Sequence, residues 1–287
     1  MKYKIWIQAA RPKTLIASLS PVLIGTVVAS RSAFHPLTFI FTLLTALCIQ
    51  ISTNFVNDYC DFLKGADTIE RKGPVRVVQA GLISVDAMKK ATLLMFAFGI
   101  LCGLYLIWQG GVIIACLLGM SLLLGFAYTA GPFPLAYLGL GELFVFTFFG
   151  FIATGGTYFL QTGTLSSSAL LAGIAPGALS SAILAMNNVR DIQEDKAANK
   201  KTLAVRFGKT FGKVEYALLL SAALLTPFLF IQDHPFLLLL LTLFFPAIKL
   251  TAALFKNSSP YLLNPLFQQT AQLLTLYTLL FCVIWCI

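Results

Sequence analysis

The chain has 287 residues, of which 58% are hydrophobic and only 11% charged, and its formal net charge is +9. Soluble domains carry about 25% charged residues, so this composition excludes a soluble globular protein and places the chain in a lipid bilayer. The basic excess collects in short segments between apolar runs, which is a topology signal and not a nucleic-acid footprint; no nucleic-acid partner is expected.

In chain order, MKYKIWIQAARPKTL is basic and amphipathic and lacks the apolar core and cleavage site of a signal peptide. A spanning helix needs about 20 mostly apolar residues. That length predicts spans at 14–31, 36–57, 86–108, 112–130, 138–160, 168–188, 214–232, 235–255 and 266–286. Turns at Gly110–Gly111, at 131–134 (GPFP) and at His234–Pro235 separate several of them. Runs this long exclude barrel strands, and lipid demands an internally satisfied backbone, so an all-α membrane protein with nine transmembrane helices is expected. No polar stretch exceeds roughly 30 residues, too few for a second domain, so 1–287 reads as one domain. Cys48, Cys60, Cys102, Cys116, Cys282 and Cys286 are scattered without metal spacing and read as small apolar side chains.

With a cytoplasmic N-terminus, every Lys and Arg except Arg31 falls on the inner side of this nine-span arrangement. Two polar segments, 54–84 and 187–209, then share that face, because an even number of spans separates them. In the first, Asn54, Asp58 and Asp61 recur at helical spacing, and Asn57 pairs with Asp61 at i, i+4. In the second, Asn187, Asp191 and Asp195 do the same, with Asn188 beside them. Carboxylate and amide oxygens are hard ligands suited to Mg²⁺, which is typically shared between carboxylates and substrate phosphates. Bases follow each cluster: Arg71, Lys72 and Arg76, then Lys200, Lys201 and Arg206. Arg suits bidentate phosphate contacts and Lys supplies a point charge. Two acid-then-base segments on one face read as a site that holds metal ions against a diphosphate. A cation-coupled transporter is the alternative from another class, but its sites lie at the midplane and these lie at helix ends.

The stretches NDYCDFLKGADT, RKGPVRVVQAGLIS and NNVRDIQEDKAANKKTLAVRFG resemble the two aspartate-rich motifs of the UbiA family of intramembrane prenyltransferases. ARPKTLIASLSPVLIGT at 10–26 and YTAGPFPLAYLGLGELFVFTFFG at 128–150 extend the likeness toward the family's naphthoate branch. The resemblance implies nine helices around a central cavity with Mg²⁺ between the motifs. It assigns Asn54, Asp58, Asp61, Asp191 and Asp195 as metal and diphosphate residues. Asn57, Asn188, Arg71, Arg76, Lys200, Arg206 and Tyr128 are assigned to substrate. The implied substrates are polyprenyl diphosphate and 1,4-dihydroxy-2-naphthoate, joined in menaquinone biosynthesis with loss of diphosphate, carbon dioxide and then a proton. The implied place is a bacterial cytoplasmic (inner) membrane, with no obligate protein partner; another acceptor such as 4-hydroxybenzoate is the rival within the family. Gly65 replaces an acidic residue the family often has, leaving the role of Asp67 open, and Asn199 stands where relatives tend to have Gly.

Tyr128 is a candidate to shield a carbocation by cation–π contact, or else an interfacial tyrosine. Glu142 is a substrate or proton-handling carboxylate, or else a helix N-terminal partner. Arg11 and Lys13 read as membrane-surface anchors, with a site-facing role as the alternative. His35 and His234 fall on the outer side, away from the motifs.

Overall fold

A computed structural model describes residues 2–67, 73–257 and 259–287, and among them it contains helices and no strand. The long elements are α1 (Lys2–Ala10), α2 (Pro12–Ala29), α3 (Pro36–Leu63), α4 (Val85–Ala127), α5 (Gly141–Thr162) and α6 (Ser167–Arg190). Two short helices follow, α7 (Ile192–Ala197) and α8 (Leu203–Phe207), and then α9 (Lys209–Phe230), α10 (Pro235–Lys256) and α11 (Pro260–Trp285). Eight of these are long and apolar enough to cross a membrane.

The expected ninth span is absorbed into α4. Its 43 residues would extend about 65 Å at ~1.5 Å per residue, twice the thickness of the hydrocarbon layer. It does not run straight. Gly111 has φ 63° and ψ −151°, a backbone region open only to glycine, so the helix breaks at the predicted turn. Gly103 then packs directly against the Leu118 side chain, which requires the two arms to fold back on each other.

Lipid-facing positions are visible as exposed apolar side chains, among them Leu93, Leu94, Leu101, Trp108, Val112 and Leu123 on α4. In water such a surface would aggregate; in a bilayer it is solvated. Helix α6 is the opposite case. Ala175, Gly177, Ala178, Ser181, Ala182 and Ala185 are all buried, and these small side chains let neighbouring backbones come close. Helix α6 comes close to α5, where a Cβ on Gly177 would meet Phe146 O at 2.6 Å and Gly150 Cα at 3.0 Å. Gly150 lies in a π-helical turn, Thr147–Ile152, inside α5; such turns re-aim side chains and are frequent at functional sites.

Buried apolar residues form two clusters. The larger joins α2, α6 and α9 through α11; the smaller joins α1, α3, the start of α4 and the loop through Val77, Val78 and Ile83. A cavity of about 700 Å³ is lined by α2 and α3, the second arm of α4, α5 and α6.

Gly111→Ala is expected to lower the thermal midpoint in detergent, with a cost of about 1–3 kcal/mol from the strained backbone. Gly119→Ala, on the same helix with open space around it and ordinary φ, is expected to leave the midpoint unchanged in scanning fluorimetry.

Candidate active site

Both acidic segments reach the same end of the cavity. Asn54, Asn57, Asp58, Asp61, Asn187, Asn188, Asp191 and Asp195 all line it, with Arg11, Lys13, Arg76, Tyr128, Glu142, Arg190 and Lys200. Away from that end the lining becomes apolar, with Leu106, Ile114, Phe144, Phe148, Phe149 and Leu160 among the wall residues.

Helix α3 continues unbroken through its motif to Leu63, so the predicted shared face of Asn54, Asp58 and Asp61 is real. The three do different work in this geometry. Asp61 is fully buried, and Tyr137 Oη donates to its Oδ1 at 2.9 Å. Its Oδ2 accepts from Lys200 Nζ at 3.0 Å and from Asn57 Nδ2 at 3.1 Å. Asp58 accepts from the backbone N–H groups of Val77 at 3.4 Å and Val78 at 3.1 Å, tying the following loop to the helix. Asn54 Nδ2 donates to Ala10 O at 2.9 Å, holding the junction of α1 and α2.

The second motif departs from the expected single helix. Helix α6 ends at Arg190 and α7 begins at Ile192, with Asp191 between them at φ −94° and ψ 11°. Backbone bonds from Asp191 N to Asn187 O (2.9 Å) and from Asp195 N to Asp191 O (2.8 Å) carry the i, i+4 register across the break. The acidic residues therefore stay together. Asn199 adopts φ 56°, a left-handed conformation that Asn tolerates.

Arg190 was not anticipated. It is buried and clasps Asp191 with two bonds, Nε to Oδ1 at 2.6 Å and Nη2 to Oδ2 at 2.8 Å. It also donates to Asn187 Oδ1, and through Nη1 to Asn264 Oδ1 at 3.1 Å on α11. The distribution of bases marks it only as one more inward cation; its signal in the sequence is a cation beside an Asp inside the motif. Tyr137 was missed as well, because it precedes a predicted span without charge or motif. Burial and the neighbouring Asp61 carboxylate hold its phenol well above the ordinary tyrosine range, so it remains a donor to Asp61.

Three expectations change, for Arg11, Lys13 and Arg206. Arg11 faces the site and not the membrane surface: with φ 53° at the α1–α2 junction, its Nη2 donates to Asn57 Oδ1 at 2.7 Å. Lys13 also lines the cavity, donating to Gln268 Oε1 at 2.6 Å. Arg206 is exposed and outside the cavity; it braces the connecting loops by donating to Lys201 O at 3.0 Å and Leu138 O at 2.9 Å. Asp67 pairs with Arg76 at 3.5 Å and does not line the cavity. Arg71 lies outside the described residues.

The oxygen donors suit a hard divalent cation. Among the described residues no three acidic, His or Cys side chains converge closely enough to hold an ion alone. The Asp and Asn oxygens that line this end of the cavity fit an ion shared with substrate oxygens, which is how Mg²⁺ is usually bound.

The model of the UbiA prenyltransferase family matches residues 18–276. The chain belongs to that family. Within it, the chain is 40% identical over 233 residues to the 1,4-dihydroxy-2-naphthoate octaprenyltransferase of Haemophilus influenzae, covering 78% of this chain and 76% of that one. It is 34% identical to the Escherichia coli protein of the same description, covering 96% and 93%. A solved UbiA homolog from Archaeoglobus fulgidus, bound to DMAPP and Mg²⁺, shares the fold with a TM-score of 0.61 and 16% identity, over 97% of this chain and 99% of that one. The family and the apolar helices together make this an integral, multi-pass membrane protein.

Lys200→Met and Asp61→Asn are expected to be non-additive in stability, since each leaves the other's buried partner exposed to loss. A double-mutant cycle by detergent denaturation should return a coupling of about 1–3 kcal/mol; additive effects would mean the pair is not formed.

Proposed function

We propose that the chain transfers a polyprenyl group from polyprenyl diphosphate to 1,4-dihydroxy-2-naphthoate, releasing diphosphate and carbon dioxide and giving demethylmenaquinol for menaquinone biosynthesis. The observation that carries this reading is the meeting of both acidic motifs, through Asp61 and Lys200, at one cavity whose remaining wall is mainly apolar, with a few Ser and Thr hydroxyls. One end suits a charged diphosphate and the other a hydrocarbon tail. The naphthoate acceptor is supported by the relatives that carry that substrate in their description.

Asn54, Asp58, Asp61, Asp191 and Asp195, which all line the cavity, are the residues assigned to hold Mg²⁺. When bound, that ion neutralises charge on the diphosphate leaving group. Lys200 and Arg76 reach the cavity from the loops after each motif and are assigned to the phosphate oxygens, where N–H donors oppose developing negative charge. Arg11 orients the Asn57 amide, and Asn57 in turn donates to Asp61. Tyr128 is assigned to the reacting allylic carbon, its ring face stabilising positive charge. Apolar walls exclude water, which would otherwise intercept that cation. The motifs and the N-terminus are assigned to the cytoplasmic side of a bacterial inner membrane, from the distribution of Lys and Arg.

Prenyl transfer by the full chain in liposomes, with Mg²⁺ or with EDTA, tests the reading when 1,4-dihydroxy-2-naphthoate is offered beside 4-hydroxybenzoate. A prenylated, decarboxylated naphthoquinol made only with Mg²⁺ is expected. Product from 4-hydroxybenzoate alone would overturn the acceptor. Asp191→Asn is expected to lower kcat by about 10²-fold or more, the scale for loss of one electrostatic stabiliser of the transition state.

A further inference from the structure

Glu142 is a carboxylate on a membrane-spanning helix that neither the metal nor the diphosphate assignments use. It is buried, lines the cavity and stands at the start of α5, immediately before the apolar wall of Phe144, Val145 and Phe148. Asn188 Nδ2, on the second motif, donates to Glu142 Oε1 at 2.6 Å. Ser181 Oγ donates to the Glu142 carbonyl at 3.1 Å and fixes its backbone to α6. Tyr128 completes the placement. A Cβ on Gly141 would meet Tyr128 Oη at 3.2 Å, so the Tyr128 hydroxyl lies against the residue that precedes Glu142. Glu142 therefore sits at the junction of the acidic end and the apolar chamber, where a ring attacking the prenyl carbon must lie. An ionisable group inside a span is costly to insert. A neutral Gln would hold Asn188 equally well, so support of Asn188 does not account for a carboxylate here.

We propose that Glu142 is the general base for the acceptor: it takes the proton from the hydroxyl beside the ring carbon that is prenylated, and returns it after decarboxylation. The inference rests on the naphthoate reading. As the carboxylate-bearing ring carbon bonds to the allylic carbon, the allylic C–O bond breaks and its electron pair leaves with diphosphate. The adjacent O–H gives its proton to Glu142, and its electrons form a ketone. The bond to the carboxylate then breaks, carbon dioxide departs, and that electron pair restores the aromatic ring. The oxygen recovers its proton from Glu142, so the base is regenerated and no co-reactant is needed. With Oε1 engaged by Asn188, Oε2 is the oxygen assigned to the substrate hydroxyl.

The test compares wild type with Glu142→Gln in liposomes, using Mg²⁺, a prenyl diphosphate and a series of dihydroxynaphthoates substituted to acidify the hydroxyl. The Gln variant keeps an oxygen that accepts from Asn188. Its kcat is expected to fall by about 10²–10⁴-fold, the usual contribution of a positioned base, with KM for prenyl diphosphate within about twofold of wild type. The deficit should shrink as the acceptor hydroxyl becomes more acidic, because an acidic phenol needs less help to ionise. A deficit equal across the series, or full activity, would overturn the assignment. So would loss of prenyl-diphosphate binding in equilibrium measurements, which would mark Glu142 as structural. A wild type that prenylates no naphthoate would overturn the proposed function and this inference with it, and is recognised because it appears without any mutation.

Discussion

Asp61 is fully buried at the end of a membrane-spanning helix, and a carboxylate in that place must be met by donors and a cation. That requirement joins the two halves of the molecule. The cation is Lys200, 139 residues away in sequence, delivered by the loop after the second motif. Asn199 turns the loop through a left-handed conformation, and Lys201 N bonds to Tyr137 O at 2.9 Å, so the segment bearing Tyr137 is fastened to the same place. An exposed ion pair would add ~1 kcal/mol at most and could be lost without consequence. A buried one cannot, because removing either partner leaves an uncompensated charge.

The same rule governs the second motif, where Arg190 answers Asp191 and reaches α11 through Asn264. On the proposed reading, an incoming diphosphate with its metal ions brings both signs of charge to a site that already holds both signs. Asp61 and Asp191 each have a base beside them whose other option is a phosphate oxygen. The site is thus polar and preorganised at one end only. Beyond Tyr128 and Glu142 the wall is mainly apolar, rich in Phe and Leu, and the change of character within one cavity matches a substrate that is ionic at its head and hydrocarbon along its tail.

Room for that cavity comes from backbone geometry more than from large side chains. Glycine against glycine brings α5 onto α6, and the π-helical turn beside that contact carries Phe148, Phe149 and Ile152 on the chamber wall. The break at Gly111 folds α4 back on itself, so its second arm supplies wall residues such as Leu118 and Tyr128 follows at its end.

Membrane character, helical class and the two acidic motifs were legible in the chain, because each rests on local pattern: apolar runs of spanning length, Asn and Asp at i, i+4, bases clustered on one side. Tolerance of Asn199 for a turn was legible for the same reason. The turn at Gly110–Gly111 was legible too, but not that the element would continue on both sides of it. What tertiary structure decided was partnership. Nothing local assigns Arg190 to Asn264, Arg11 to Asn57, or Tyr137 to Asp61, since each bond depends on segments far apart in sequence arriving at one depth. Nor does local pattern separate Lys200, which enters the cavity, from Arg206, which stays outside it. Both are bases after the same motif; only the path of the folded loop, set by buried carboxylates that had to be paired, tells them apart.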